Sequence, residues 1–210
     1  MPETAGPIGA ALGLAVASGL SLYGAVLVSG LAIRLGWIHL APGWAALSVL
    51  ADPVVLGVSG VLFAVEFLAD KVPVIDSLWD AVHTFIRPIG GALLASRALG
   101  ELSPVAEVLA LLLLGGATLA THAAKATTRL AVNTSPEPVS NVLVSLTENG
   151  LVAGVVWLAL AHPLVALGVG LAVVIISVTL TVWLARRAIS ALRGMARGRA
   201  DRPRPVADGR

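Results

Sequence analysis

Residues 74–100, from Val74 to Gly100, read VIDSLWDAVHTFIRPIGGALLASRALG. The first half carries Asp76, Asp80, His83 and Arg87, while Gly90 to Leu99 is almost wholly small or apolar. The four ionisable residues stand at i, i+4, i+7 and i+11. At roughly 3.6 residues per turn they keep within about 60° of arc, so they form one line along one helical face. Leu78, Val82 and Phe85 occupy the opposite face. The segment therefore predicts a half-polar helix interrupted only by Pro88, a residue that kinks a helix.

The rest of the chain supplies the surroundings. Of its 210 residues, 57% are hydrophobic and 12% charged, against about 25% charged in soluble domains. Several apolar stretches approach or exceed the roughly 18 residues that mark a bilayer span. Six are expected: Ile8 to Ile33, Pro53 to Asp70, the half-polar Val74–Gly100, Pro104 to Ala124, Val139 to Ala161, and Leu164 to Ala185. Gly36 to Asp52, with Trp37, Pro42 and Trp44, reads as a loop plus a short interfacial helix. The fold class is all-α, a polytopic transmembrane helical bundle over residues 1–190. A basic tail, 191–210, is expected to be disordered beyond a short juxtamembrane helix.

The basic residues set the orientation. With six spans one side holds Lys71, Arg87, Lys125, Arg129 and the eight arginines from Arg186 onward; the other keeps Arg34 and Arg97. The positive-inside rule then puts both termini in the cytoplasm, as for a multi-pass protein of the bacterial inner membrane. No Lys or Arg precedes the first apolar run, so the basic start of a signal peptide is missing and that run is expected to remain as a span.

A faint internal echo links Gly60–Glu66–(Val74–Gly100) with Gly116–His122–(Val139–Ala161). Each is an apolar helix gaining charge, a proline-containing break and a half-polar helix. This predicts a parallel repeat in which spans three and five correspond, although chance similarity of two membrane hairpins accounts for it equally well. In span five Asn141, Ser145 and Glu148 repeat the i, i+4, i+7 spacing.

A charged side chain at the bilayer centre costs a few kcal/mol or more, so both stripes must face the protein interior, pair, or line water. The candidate substrate or ion-binding set is Glu66, Asp70, Asp76, Asp80, His83, Arg87, His122, Lys125, Asn141, Ser145 and Glu148. Lys71, Arg129, Ser18, Ser21 and Tyr23 lie where they could close it, the serines alternatively bonding back to the preceding turn. Glu66, Asp76, Asp80 and His83 also offer donors suited to a divalent metal, though no cofactor is required. Three simpler readings stand beside these. Residues 74–87 form an amphipathic helix on the cytoplasmic surface with the stripe as its wet face, which leaves only about 13 residues for a span. The acids pair structurally with Arg87. Or Arg87, Lys125 and Arg129 meet lipid phosphates.

The chain has no cysteine, which excludes disulfides and thiolate chemistry. It also lacks HExxH, GxSxG and a glycine-rich phosphate loop with its lysine, so catalysis is not expected. Small residues at Gly9, Gly13 and Ala17, at Gly115–Gly116, and at Gly168 and Gly170 suit close helix approach or a homo-oligomer contact. The arginine-rich tail suits anionic lipid, and nucleic acid is not an expected partner.

The string EFLADKVPVIDSLWDAVHTFIRPIGGALLA, Glu66 to Ala95, resembles the signature of an uncharacterised bacterial family of multi-pass membrane proteins, domain-of-unknown-function family 4126. GLSLY at Gly19–Tyr23 and NTSPEPVSN at Asn133–Asn141 are similar to it too, so the resemblance covers residues 5 to about 190. It implies an integral membrane protein and carries no activity. The functional expectation is therefore drawn from the stripe: a transporter or channel for a small ion or polar solute, with a non-catalytic scaffold or anionic-lipid-binding protein as the alternative.

Overall fold

The computed structural model describes residues 2–133 and 138–200. They form seven α-helices and one 3-10 helix: α1 Pro2–Leu20, α2 Leu22–Arg34, the 3-10 helix Pro42–Ala51, α3 Pro53–Ala69, α4 Pro73–Ser96, α5 Pro104–Asn133, α6 Pro138–Ala161 and α7 Pro163–Ala200. Every element except α2 opens on a proline. Proline has a helix-ready φ and lacks only an N–H that the first turn would leave unpaired. Gly36 and Gly100 take positive φ, 71° and 72°, in the turns that follow α2 and α4, a conformation that costs glycine little.

Among the described residues three helical stretches are long and apolar enough to cross a membrane: Pro104–Leu130, Val142–Ala161 and Pro163–Ser190. A fourth arises if the pair Gly43–Ala51 and Pro53–Ala69, bent by 67°, crosses together.

The first apolar run is not one helix. It breaks at Ser21, which is extended (φ −152°, ψ 109°) and caps α2 by accepting from Gly24 N at 3.0 Å. By contrast α4 runs through Pro88 to Ser96. α5 continues past Ala124 to Asn133, and α7 continues past Ala185 to Ala200, so the first ten residues of the 191–210 tail are helical and 201–210 lie outside the described residues.

α1 is the hub. Ala10, Ala11, Leu14, Ala15 and Ala17 are buried in the apolar core, and α1 packs against α4, α5, α6 and α7. Small side chains make this possible. A Cβ on Gly13 would meet Ala159 Cβ at 2.7 Å, and one on Gly19 would meet Thr118 O at 2.6 Å, close approaches of the kind membrane helices use. Gly170 likewise abuts Leu12, whereas Gly116 and Gly168 face open space. Trp37 and Trp183 are exposed, but Trp44 belongs to the core instead of an interfacial belt.

Candidate functional site

The α4 stripe faces inward. Asp76, Asp80, His83 and Arg87 are all buried, while Leu78, Val82 and Phe85 are 58–75% exposed. The protein, not water, receives the charges, which overturns the reading of the stripe as a wet face. Pro73 opens the helix, and its period of about 3.6 residues puts all four on the face turned to the protein interior.

Arg87 anchors the first half of a continuous ion-pair network. Its Nη2 donates to Glu66 Oε1 at 2.6 Å and its Nη1 to Asp80 Oδ1 at 3.2 Å. The same Nη1 lies 2.7 Å from His122 Nδ1. Glu66, on the last turn of α3, also accepts from Ser21 Oγ at 2.8 Å. His122 Nε2 contacts Asp80 O and Thr84 Oγ1, each at 3.1 Å. His83 turns away from this centre: its Nδ1 meets Trp79 O at 2.8 Å, its Nε2 meets Tyr23 OH at 3.1 Å, and its ring stacks on Trp79.

Arg129 organises the second half. It grips Glu148 through Nε and Nη2, the latter at 2.8 Å from Oε2, and pairs with Asp70 Oδ2 at 3.1 Å. Asp76 is within its electrostatic reach. Ser145 Oγ donates to Asp70 Oδ2 and accepts from Lys71 Nζ, which also sits over the Phe67 ring. In the turn between α3 and α4, burial lowers the Lys71 pKa from the ordinary lysine value. Lys125 joins the halves, with Glu148 Oε2 at 3.4 Å, Glu66 Oε1 at 3.7 Å and Asp70 Oδ1 at 3.9 Å.

The polar edges of α4 and α6 scarcely meet; α5 stands between them and bridges them with His122, Lys125 and Arg129, at i, i+3 and i+7. Of the candidate set, only the Asn141 side chain lies outside the described residues. Among the described residues no group of three or more His, Cys, Asp or Glu side chains is arranged to hold a metal ion. The reason is local: Glu66 and Asp80 are both turned onto Arg87, and His83 onto Tyr23 and the Trp79 carbonyl. Thr84 was not among the sequence candidates, and a threonine hydroxyl gives no pattern by which to pick it out.

The break at Ser21 sits on this network. A helix that stops at Leu20 strands its last carbonyls. Two of them turn to the cations: Leu20 O accepts from Lys125 Nζ at 3.0 Å and Gly19 O from Arg87 Nη1 at 3.5 Å.

Fold and site together define an all-α-helical protein with three to four candidate membrane spans among the described residues and an interrupted helix on a buried charge network. The chain belongs to the family described as Domain of unknown function (DUF4126), which it matches over residues 8–187. No curated protein and no solved structure matches it.

Proposed function

We propose that this protein is an integral membrane transporter or channel for a small ion or polar solute, with the ion-pair network as its permeation or coupling site. The observation that carries the reading is the helix break at Ser21, where α1 ends on Arg87 and Lys125 and α2 begins on a serine bonded to Glu66. Half-helix ends meeting at a charged centre are how membrane transporters bind ions without side-chain cages. Energetics support it as well. A buried ion pair is often no more stabilising than well-packed apolar residues of the same volume, so stability alone is a weak account of a network this large.

The topology proposed with it has six crossings, α1 and α2 together forming the first and α3 to α7 the others, with both termini cytoplasmic and the network near that side. The parallel repeat is proposed as α3–α4 and α5–α6. It is supported by Glu66 and His122, which hold equivalent places and both contact the Arg87 guanidinium.

The test is flux. Asp80→Asn keeps shape and loses the charge on Arg87. In proteoliposomes it should insert as wild type does yet lose ion or solute flux; wild-type flux would refute a transport role for this network. The scaffold reading is favoured by the extent of internal pairing, and it predicts no flux in either protein.

A further inference from the structure

A groove of about 400 Å³ runs beside the network, within the range of about 300–1,000 Å³ of small-molecule sites. It exists because α5 and α6, though consecutive, touch little, leaving α1 as floor and α7 as flank. Its walls are apolar: Val16, Leu143, Leu151, Val155 and Val173. Lys125 and Glu148 are its charged lining residues.

Apart from Ser177, whose hydroxyl can donate or accept, the hydrogen-bond inventory of the polar lining is one-sided. Thr121, Thr128 and Thr147 each spend their one hydroxyl proton on the carbonyl four residues back, Ala117 O, Ala124 O and Leu143 O, so toward a ligand they have only lone pairs. Lys125 has three protons and several internal acceptors, Leu20 O, Glu148 and Glu66 nearest. Glu148 is the most exposed acid of the paired network at 12%. Among the described residues its Oε1 accepts from Arg129 Nε, and a carboxylate takes about four hydrogen bonds in all.

Charge points the same way. Among the described residues five carboxylates, Glu66, Asp70, Asp76, Asp80 and Glu148, share the network with four basic side chains, Lys71, Arg87, Lys125 and Arg129. His122 accepts from Arg87 through Nδ1 and so adds no charge.

We propose that this groove binds an amphiphilic organic ammonium, with its apolar body between α5 and α6 and its N–H donors on the Glu148 carboxylate. An anion would meet acceptors and excess negative charge. A neutral chain would cover the walls but leave the acceptors desolvated and unpaired, which is costly. A cation with N–H donors and an apolar body satisfies both. The inference deepens the transport reading by naming a substrate class, and it rests on the same network.

The experiment uses the full chain in lipid nanodiscs with radiolabelled phenylbutylamine as probe, and phenylbutanol and phenylbutyrate as competitors. Saturable binding of the amine is expected, displaced by unlabelled amine and at least about tenfold less well by the alcohol or the acid. Glu148→Gln should weaken it by about tenfold or more. Because that variant also disturbs Arg129, Leu151→Trp provides the second arm: Leu151 is 52% exposed, so the larger ring fills the groove without entering the core, and binding should vanish with thermal unfolding unchanged. Equal displacement by all three compounds, or binding indifferent to Leu151→Trp, would mean partition into lipid and overturn the proposal. Saturable, groove-dependent binding without flux would uphold the groove and sink transport. Flux of a small ion with no amine binding would do the reverse.

Discussion

Arg87 Nη1 and His122 Nδ1 lie 2.7 Å apart in the interior of the helical bundle. A guanidinium can only donate, so Nδ1 must be the unprotonated nitrogen. Nε2 then carries the hydrogen, which Asp80 O at 3.1 Å accepts. The contact thus assigns both the neutral state and the tautomer of a histidine at the meeting point of α4 and α5. Protonating Nδ1 would set N–H against N–H and expel the arginine.

That assignment can be read directly. In histidine-labelled protein at neutral pH, long-range proton–nitrogen spectra should show the His122 signal as the Nε2–H tautomer, identified by its loss in His122→Gln. An Nδ1–H or doubly protonated ring would mean that Arg87 points elsewhere.

Arg87 also pairs with both Glu66 and Asp80, so its removal strips Asp80 of its cation and leaves Glu66 with only the more distant Lys125. Arg87→Met should cost about 3–5 kcal/mol, the range for breaking a buried pair by deleting one partner. Adding Glu66→Gln removes one of the stranded charges. The double variant should therefore be more stable than Arg87→Met alone, as measured by unfolding in detergent. Strictly additive losses would show that the two side chains are not coupled.

Two serines three residues apart on the first apolar run make a sharper contrast. Ser18 Oγ donates to Leu14 O within its own helix, whereas Ser21 caps α2 and donates to Glu66 Oε2. Ser21→Ala should lower stability by about 0.5–2 kcal/mol through the lost cap, with more from the unpaired Glu66 oxygen, while Ser18→Ala should change it little. Equal effects in thermal unfolding would argue that the helix does not break at Ser21.

Those serines also show where the sequence stops being legible. The α4 stripe could be read because the helical period is local: Asp76, Asp80, His83 and Arg87 align by spacing alone, and burial cost turns them inward. The helix starts at Pro53 and Pro104 were legible for the same reason, whereas α4, α6 and α7 each begin on the proline one residue before the expected start. The break at Ser21 was not, because its cause is Glu66, 45 residues away, and serine within an apolar helix ordinarily bonds back to its own turn, as Ser18 does. Arg129 was placed near the site on its helix, past the expected end of the membrane span at about Ala124, but its partners were not legible. Only the extra turns of α5, out to Asn133, swing it between Asp70 and Glu148. The bridging role of α5 was likewise hidden, since resemblance between α4 and α6 suggests that the two face each other and says nothing about what stands between them.

The outer face of α4 decides whether the network lies at membrane depth. Phe85 is 75% exposed and Leu78 64%, and among the described residues no element covers them. A helix on the membrane surface would expose its charges and bury these side chains in lipid headgroups; α4 does the opposite and buries the charges in protein. If α4 crosses the bilayer, Phe85 meets hydrocarbon. The chain has no cysteine, so a single Phe85→Cys substitution is free of background. It should react with a lipid-soluble maleimide and resist a charged, impermeant one, whereas Trp37→Cys, in the exposed turn after α2, should react with both. Equal reaction of the two cysteines with the impermeant reagent would place α4 in water. The buried charges would then be the interior of a peripheral helix layer, and no path across the membrane would pass through them.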